Sequence, residues 1–533
     1  MVRMRPLLVG AALAALATGT LASGTVFAKT GAAPAETLIV RTDLPNQKFM
    51  PALLPNSKEN TSVIAQNNGT AAATIAMDVY TPAGVLIPEA SRVETGVPVG
   101  GTRTFAQALN TGLSPGFRGV GVLSSDQSIN ALLVRDIEQN GTGRKSYSVH
   151  NSFGSGGNTV TLPFIANNAG GVFQTRFAIA NTGSAIACVT IQYAFDPVLS
   201  GGGSFNDAPS GQAGCATGYG VPVGGQITFG PNSVPAEATQ AMPGATAGKL
   251  MSATVTSTGA PVTVAVDAYV SDGKAKLGSY DGFLYSGPGA AGDDLGTTVI
   301  IPIALKLGGY YSQILLSNPN AQSATCSILY KSDAGATYTV PLTIPANGTS
   351  NHSVYAPDSP IPEGFLGAAT VTCDRDVAAV LFRIKMTAPG SFIDEDLYTA
   401  VSGVPVDRAS TTAKVPLIFR RIGQGGGFDG YNTWVSVATV DGGSATVNLN
   451  TVTDTTSTPG SCGAAATYTT SKTITGSFVF YQNANSDNGL GANPACLWGG
   501  MTITSDKPII AIAVSTNDIF PGDNDGLFNA FPG

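Results

Sequence analysis

The sequence of 533 residues is short of charge, of histidine and of tryptophan. Charged residues make up 11%, with 27 Lys and Arg against 34 Asp and Glu, and there are two His and two Trp. No stretch gathers Lys and Arg into the cationic surface that nucleic acid binding requires, so no nucleic acid partner is expected. The two histidines, His150 and His352, lie far apart in polar, loop-like stretches, where solvated side chains are expected. A Ser-His-Asp site would have to use one of them. None of the six cysteines stands in C-x2-C spacing, and zinc is not expected with so few imidazoles. The low hydrophobicity of a disordered chain is also missing, because hydrophobic residues make up 43%.

Long apolar runs are confined to the start. Arg3 and Arg5 precede a Leu/Ala/Val/Gly stretch from Leu7 to Ala22, and "TVFA" places Val26 and Ala28 at the −3 and −1 positions of a cleavage site. The run is shorter than the ~20 residues that span a bilayer. Residues 1–28 therefore read as a cleaved signal peptide, with no membrane insertion afterwards. The expected location is secreted, extracellular and associated with the cell surface.

What is abundant is repetition. "SPGFRGVGVLSSDQSINALLV" (Ser114 to Val134) returns as "PEGFLGAATVTCDRDVAAVLF" (Pro362 to Phe382). Looser copies are "AGKLMSATVTSTGAPVTVAV" from Ala247 and "CLWGGMTITSDKPIIAIAV" from Cys496. Leu123, Val255, Val371 and Ile503 mark equivalent positions, with spacings of 132, 116 and 132. A period near 120 is long enough for one domain per copy.

Each copy opens on an apolar-proline signal: "FMPAL", "LPFIA", "IPIAL" and "VPLIF". A strand ending in a turn follows, as in "SVIAQNNGT", "RFAIANTGS", "QILLSNPNA" and "WVSVATVDGG". Then comes a second alternating strand, and "VPVGGTRTFAQ" is answered by "VPVGGQITFG". Period-two alternation between Asn-Gly and Gly-Gly turns predicts short strands, and about seven per ~100–130 residues predicts an immunoglobulin- or fibronectin-III-like sandwich. The expected fold is all-β, four tandem immunoglobulin-like β-sandwich domains at 36–152, 159–288, 297–404 and 412–533. Joins such as "NSFGSGGNT" and "YSGPGAAGDDLG" read as linkers, so a rod is expected. The Ser114–Val134 stretch reads as a late hairpin in which Asp126 bonds its own backbone.

The cysteines divide as none, two, two and two among these copies. An even number per unit in an exported chain reads as local disulfides: Cys188–Cys215, Cys326–Cys373 and Cys462–Cys496, the second crossing between sheets.

Little else carries chemistry. "GLSPG" (Gly112 to Gly116) matches G-x-S-x-G, but Pro115 follows the serine where a helix must start. "GSGGN" and "GQGGGFDG" lack the Lys-Ser/Thr ending of a phosphate loop. "DNDG", "DEDL" and "GDD" read as solvated turns, since "DNDG" lacks EF-hand spacing and the clusters do not recur at one aligned position. Tyr310, Tyr311, Trp434 and Trp498 are candidates for a sugar-stacking surface, although the pattern places both tryptophans in the core. Asn60, Asn68, Asn140 and Asn347 stand in glycosylation sequons.

The repeat, most plainly "WGGMTITSDKPIIA" (Trp498 to Ala511), resembles modules of exported bacterial proteins built from tandem immunoglobulin/fibronectin-III-like β-sandwiches, mostly uncharacterised. The resemblance implies architecture and no catalytic residue. The expected function is a non-enzymatic structural or adhesive cell-surface protein without cofactor or metal. Its expected partners are other surface proteins or glycans, or further copies joined through strand edges. The alternatives are a secreted carbohydrate-binding protein and, further off, a hydrolase or inhibitor.

Overall fold

The structure is a computed structural model. It describes residues 41, 43–53, 59–138, 145–231, 239–271, 276–287, 293–385, 397–423, 430–454, 456–458, 462, 466–484, 490, 494–517, 522–523 and 525–533. The 1–28 segment, Asn140 and most of "DEDL" and "GQGGGFDG" lie outside these residues. The chain is all-β, arranged in several sheets, and no α-helix occurs among the described residues.

The first repeat shows the plan. Its strands are β1 (Asn46–Leu53), β2 (Glu59–Asn67), β3 (Ala73–Tyr80), β4 (Arg92–Val97), β5 (Thr102–Ala106), β6 (Gly119–Ser125), β7 (Ile129–Glu138) and β8 (Lys145–Asn151). They form two layers, β1-β6-β3-β4 and β8-β7-β2-β5. The same order recurs at 159–284, 296–405 and 410–532. An immunoglobulin sandwich of the constant type sets its first strand in the same sheet as its second. Here the first strand lies beside the sixth, in the opposite layer.

Each repeated residue has a physical task. Pro51, Pro163, Pro302 and Pro416 all fall where the first strand's register shifts. A proline has no N–H to give a ladder, so a bulge tolerates it. The turn asparagine is a buried clamp. Asn181 Nδ2 donates to Ala185 O (2.7 Å) and Val221 O (2.9 Å), while its Oδ1 accepts from Gly183 N (2.9 Å). Asn67 and Asn318 repeat the arrangement, and Thr439 takes the position in the fourth copy. The glycine shared by positions 119, 367 and 499 faces a carbonyl of the third strand. A Cβ there would come within 2.1 Å of Tyr80 O, 2.0 Å of Lys331 O and 2.2 Å of Val452 O.

The expected late hairpin is instead a crossover. β6 pairs with β1 and β3, whereas β7 pairs with β2 and β8, so "SSDQS" carries the chain from one layer to the other. In the third and fourth repeats this passage is one strand, Phe365–Lys385 and Leu497–Asn517. Asp126 does not bond its own backbone. Its Oδ1 accepts from Thr74 N (2.8 Å), and Asp374 and Asp506 accept likewise from Thr325 N and Thr446 N. The crossover is thereby pinned to the start of the third strand, which explains why the aspartate recurs.

All three cysteine pairs lie at disulfide distance, with Cα atoms 5.6, 4.1 and 4.8 Å apart for Cys188–Cys215, Cys326–Cys373 and Cys462–Cys496. Cys326 and Cys373 are direct partners on neighbouring strands, so that bridge staples one sheet instead of crossing between sheets.

The repeats do not form a rod. Their eighth strands, 145–151, 276–281, 397–402 and 525–529, pack side by side in a closed circuit, each against its two neighbours. The last residues, Asn151, Asp281, Ser402 and Asn529, bond one to the next. Asn151 Nδ2 donates to Asn529 O (2.8 Å) and Asn529 Nδ2 to Ser402 O (3.0 Å). Ser402 Oγ donates to Asp281 O (3.3 Å), and Asn151 N to Asp281 Oδ2 (3.2 Å). At the other end Gly522–Asp523 pairs in parallel with β8, and Asp523 Oδ2 accepts from Leu277 N (2.8 Å) and Tyr398 N (3.1 Å). One buried apolar cluster runs from the second repeat through the third to Trp434 and Leu527 of the fourth, and another joins Ile64 and Val149 to Val435.

Replacing Asn181 by Ala strands the buried Val221 carbonyl and removes the part-buried bonds to Ala185 O and Gly183 N. The expected loss is about 2 kcal/mol or more, at about 1–3 kcal/mol per buried unsatisfied group, read as a lower urea midpoint.

Candidate functional site

The layers β8-β7-β2-β5 and their equivalents face the closed centre, so charges on the second, seventh and eighth strands meet across repeats. Two such meetings stand out.

The first is a buried ionic cluster between the first and second repeats. Arg135 on β7 sits opposite Thr61, directly after the apolar run Ala131–Val134. Its guanidinium ion-pairs with Asp267 of the second repeat, which Arg176 also contacts at 3.1 Å. His150 bridges two carboxylates, with Nε2 3.0 Å from Asp267 Oδ1 and Nδ1 3.2 Å from Asp281 Oδ1. Ser279 Oγ also donates to Asp267 (3.0 Å). His150 is therefore not the solvated loop residue that its polar neighbours suggested: it is 2% exposed. Burial opposes its protonation, but the bonds and charges of Asp267 and Asp281 outweigh this and raise its pKa. Burial would likewise push the Asp267 carboxyl up. Arg135, His150 and Arg176 reverse this and hold it well below the usual range. With every member partnered by another, this cluster is a joint.

The second is an open groove of 580 Å³ between the third and fourth repeats. Arg383 occupies the position equivalent to Arg135, opposite Ser312, and its Nη1 lies 2.8 Å from Asp525 Oδ2. The guanidinium also lies over two rings, 4.6 Å from the Tyr310 centroid and 4.9 Å from that of Trp434. Trp434 pairs across strands with Tyr481, and their rings stack at 5.4 Å and 16°. Trp434 is 7% exposed and Tyr481 44%, so the indole backs a tyrosine that faces solvent. Lys385 Nζ also lies over the Tyr310 ring, 5.3 Å from its centroid. Amides and hydroxyls of Asn432, Thr433, Gln482 and Thr516 complete the wall. Burial raises the Asp525 carboxyl above its ordinary pKa, against the pull of Arg383 and Lys385.

Of the candidate stacking aromatics, the structure brings Tyr310 and Trp434 together here. Tyr311 turns away against Tyr355, with ring centroids 4.8 Å apart. Trp498 is core, edge-on to Phe419 at 4.8 Å. Tyr481 and Arg383 were missed, and Asp525 was read only as part of the solvated turn "DNDG". An arginine inside an otherwise apolar strand, as in "VLFRIK", was the available signal, since such a charge demands a partner.

The remaining candidates are separated. His352 is partly buried and bonded to Tyr330 Oη (2.7 Å), and burial lowers its pKa. Ser114 lies in a turn that its carbonyl closes on Phe117 N. In "DNDG" and "GDD" the solvated-turn reading fails, because Asp523, Asp525 and Asp293 are buried; the acidic residues of "DEDL" lie outside the described residues. Asp293 and Asp294 accept backbone N–H groups from Ser286 and Leu284. No group of three His, Cys, Asp or Glu placed to hold a metal occurs among the described residues.

No family model matches the chain, and no curated protein matches it. Among solved structures, Thermotoga maritima 1070 aligns at 11% identity over 21% of this chain and 92% of its own, with a TM-score of 0.17. A tetra-tandem repeat in the extending region of a large adhesion protein aligns at 12% identity over 87% of this chain and 93% of its own, with a TM-score of 0.10. Scores this low describe no shared architecture.

The raised pKa of His150 has a sign that can be tested. Its charged form favours the folded state, so its contribution is full below the unfolded value of 6.5 and is lost as pH climbs through the folded pKa. The Tm gap between the parent and His150→Gln is expected to be widest below pH 6.5 and to narrow in alkali. A gap that is constant with pH would contradict this.

Proposed function

We propose that the protein is a non-enzymatic structural or adhesive protein, exported by a cleaved signal peptide at 1–28 and held at the cell surface. In this reading the segments 36–152, 159–288, 297–404 and 412–533 are four β-sandwich modules of immunoglobulin-like kind, with a first strand moved to the opposite layer. The supporting observation is the closed circuit of eighth strands, sealed by Asn151, Asp281, Ser402 and Asn529. A chain that buries its joins spends its centre on rigidity and leaves its outward sheet edges for partners. Those edges include Thr337–Ile344 and Thr467–Thr475, whose residues alternate between exposed and half-buried up to the buried Ile344 and Ile474. Disulfide-distance cysteines suit an oxidising compartment.

The test is fractionation of the native host. The mature protein is expected on washed cells; free protein in spent medium overturns the surface assignment. A second reading, a secreted carbohydrate-binding protein, is favoured by the meeting of Tyr310, Trp434 and Tyr481 in one groove.

A further inference from the structure

We infer that the groove between the third and fourth repeats binds an acidic carbohydrate, an oligosaccharide bearing a uronate carboxylate. This deepens the carbohydrate-binding reading and rests on it.

The groove has a stacking face. The exposed Tyr481 ring, backed by Trp434, presents a negative π-face of the kind that attracts the partly positive C–H groups of a sugar ring. It also has polar atoms without partners. Gln482 is fully buried; its Nε2 donates to Phe480 O, but its Oε1 bonds nothing. The Arg383 side chain is 5% exposed, yet its Nε makes no hydrogen bond. Its Nη1 is held by Asp525 Oδ2 at 2.8 Å. Buried donors and acceptors are normally satisfied, so an unfilled set beside an open groove calls for a ligand that supplies the complement. A hydroxyl can donate to Gln482, and sugar oxygens can accept from Arg383.

The charge selects the acid. Arg383, Lys385 and Asp525 are the charged lining residues, a balance of +1 in a chain whose net charge is −7. Arg383 already faces Asp525, whereas Lys385 is half-buried above Tyr310 and turns its surplus charge to the groove. Polyphosphate chains would meet only this one surplus cation in an acidic protein. One carboxylate per sugar suits it better. At 580 Å³ the volume falls within the range of small-ligand clefts.

The experiment titrates the full-length mature protein with trigalacturonic acid and with neutral cellotriose, reading tryptophan fluorescence and heat. The acidic trisaccharide is expected to bind and perturb Trp434, with Tyr481→Ala abolishing binding. Lys385→Gln should weaken it about tenfold, the size of one lost charge contact. Neither variant touches the sealed centre, and unchanged melting curves check that both fold. Equal binding of the two trisaccharides, or indifference to Lys385→Gln, overturns the acidic specificity while the carbohydrate reading survives. Binding of neither overturns both.

Discussion

Four strand ends meeting at one point impose the constraint on which the rest depends. A strand that terminates between packed modules leaves backbone N–H and C=O groups with reduced access to water, and those groups need partners. Here Asn151, Asp281, Ser402 and Asn529 satisfy one another around a closed path, and Asp523 serves two further amides at the opposite end. An open chain of modules would expose these groups to water at no cost. Closing it makes every repeat's last strand part of its neighbours' interior. Gly278 and Gly526 follow from that closeness: a Cβ would stand 3.2 Å from Ala400 and 2.7 Å from Val149.

Charge then distinguishes one join from another. Arg135 and Arg383 hold equivalent positions in the first and third repeats, and each finds its carboxylate on the following repeat. A buried charge is tolerable only with its partner in place. Closure that separated either arginine from its carboxylate would leave a buried charge bare, so the ion pairs favour joins that keep them together. The two joins differ in access. At the first, Asp267 is enclosed by Arg135, Arg176, His150 and Ser279; at the second, Arg383 and Asp525 border open space beside stacked aromatics. The same element is a lock in one place and the wall of a groove in the other.

Much of each repeat was legible because its cues act locally. Asn67, Asn181 and Asn318 were readable as turn formers, and their burial follows from the loops they clamp. The prolines marked first strands because a bulge is where a strand accepts one. The aspartate of the crossover was visible as a repeated residue, but its partner, Thr74 N, is 52 residues away and no local rule names it. The crossover was mistaken for a hairpin for the same reason: a short polar turn between alternating runs looks alike whether the next strand pairs back or changes layer.

The sequence by itself determined the all-β character, the four-fold repetition and the pairing of cysteines that lie at disulfide distance, since period, turn chemistry and parity are properties of neighbours along a chain. Only the tertiary structure decided that His150 is buried between Asp267 and Asp281, that Tyr310, Trp434 and Tyr481 share one groove, and that Gly/Ser/Pro joins belong to a closed body instead of a rod. The physical reason is distance. Partners brought together from 117 or 131 residues apart leave no mark of period or spacing, and their chemistry exists only once the repeats have packed.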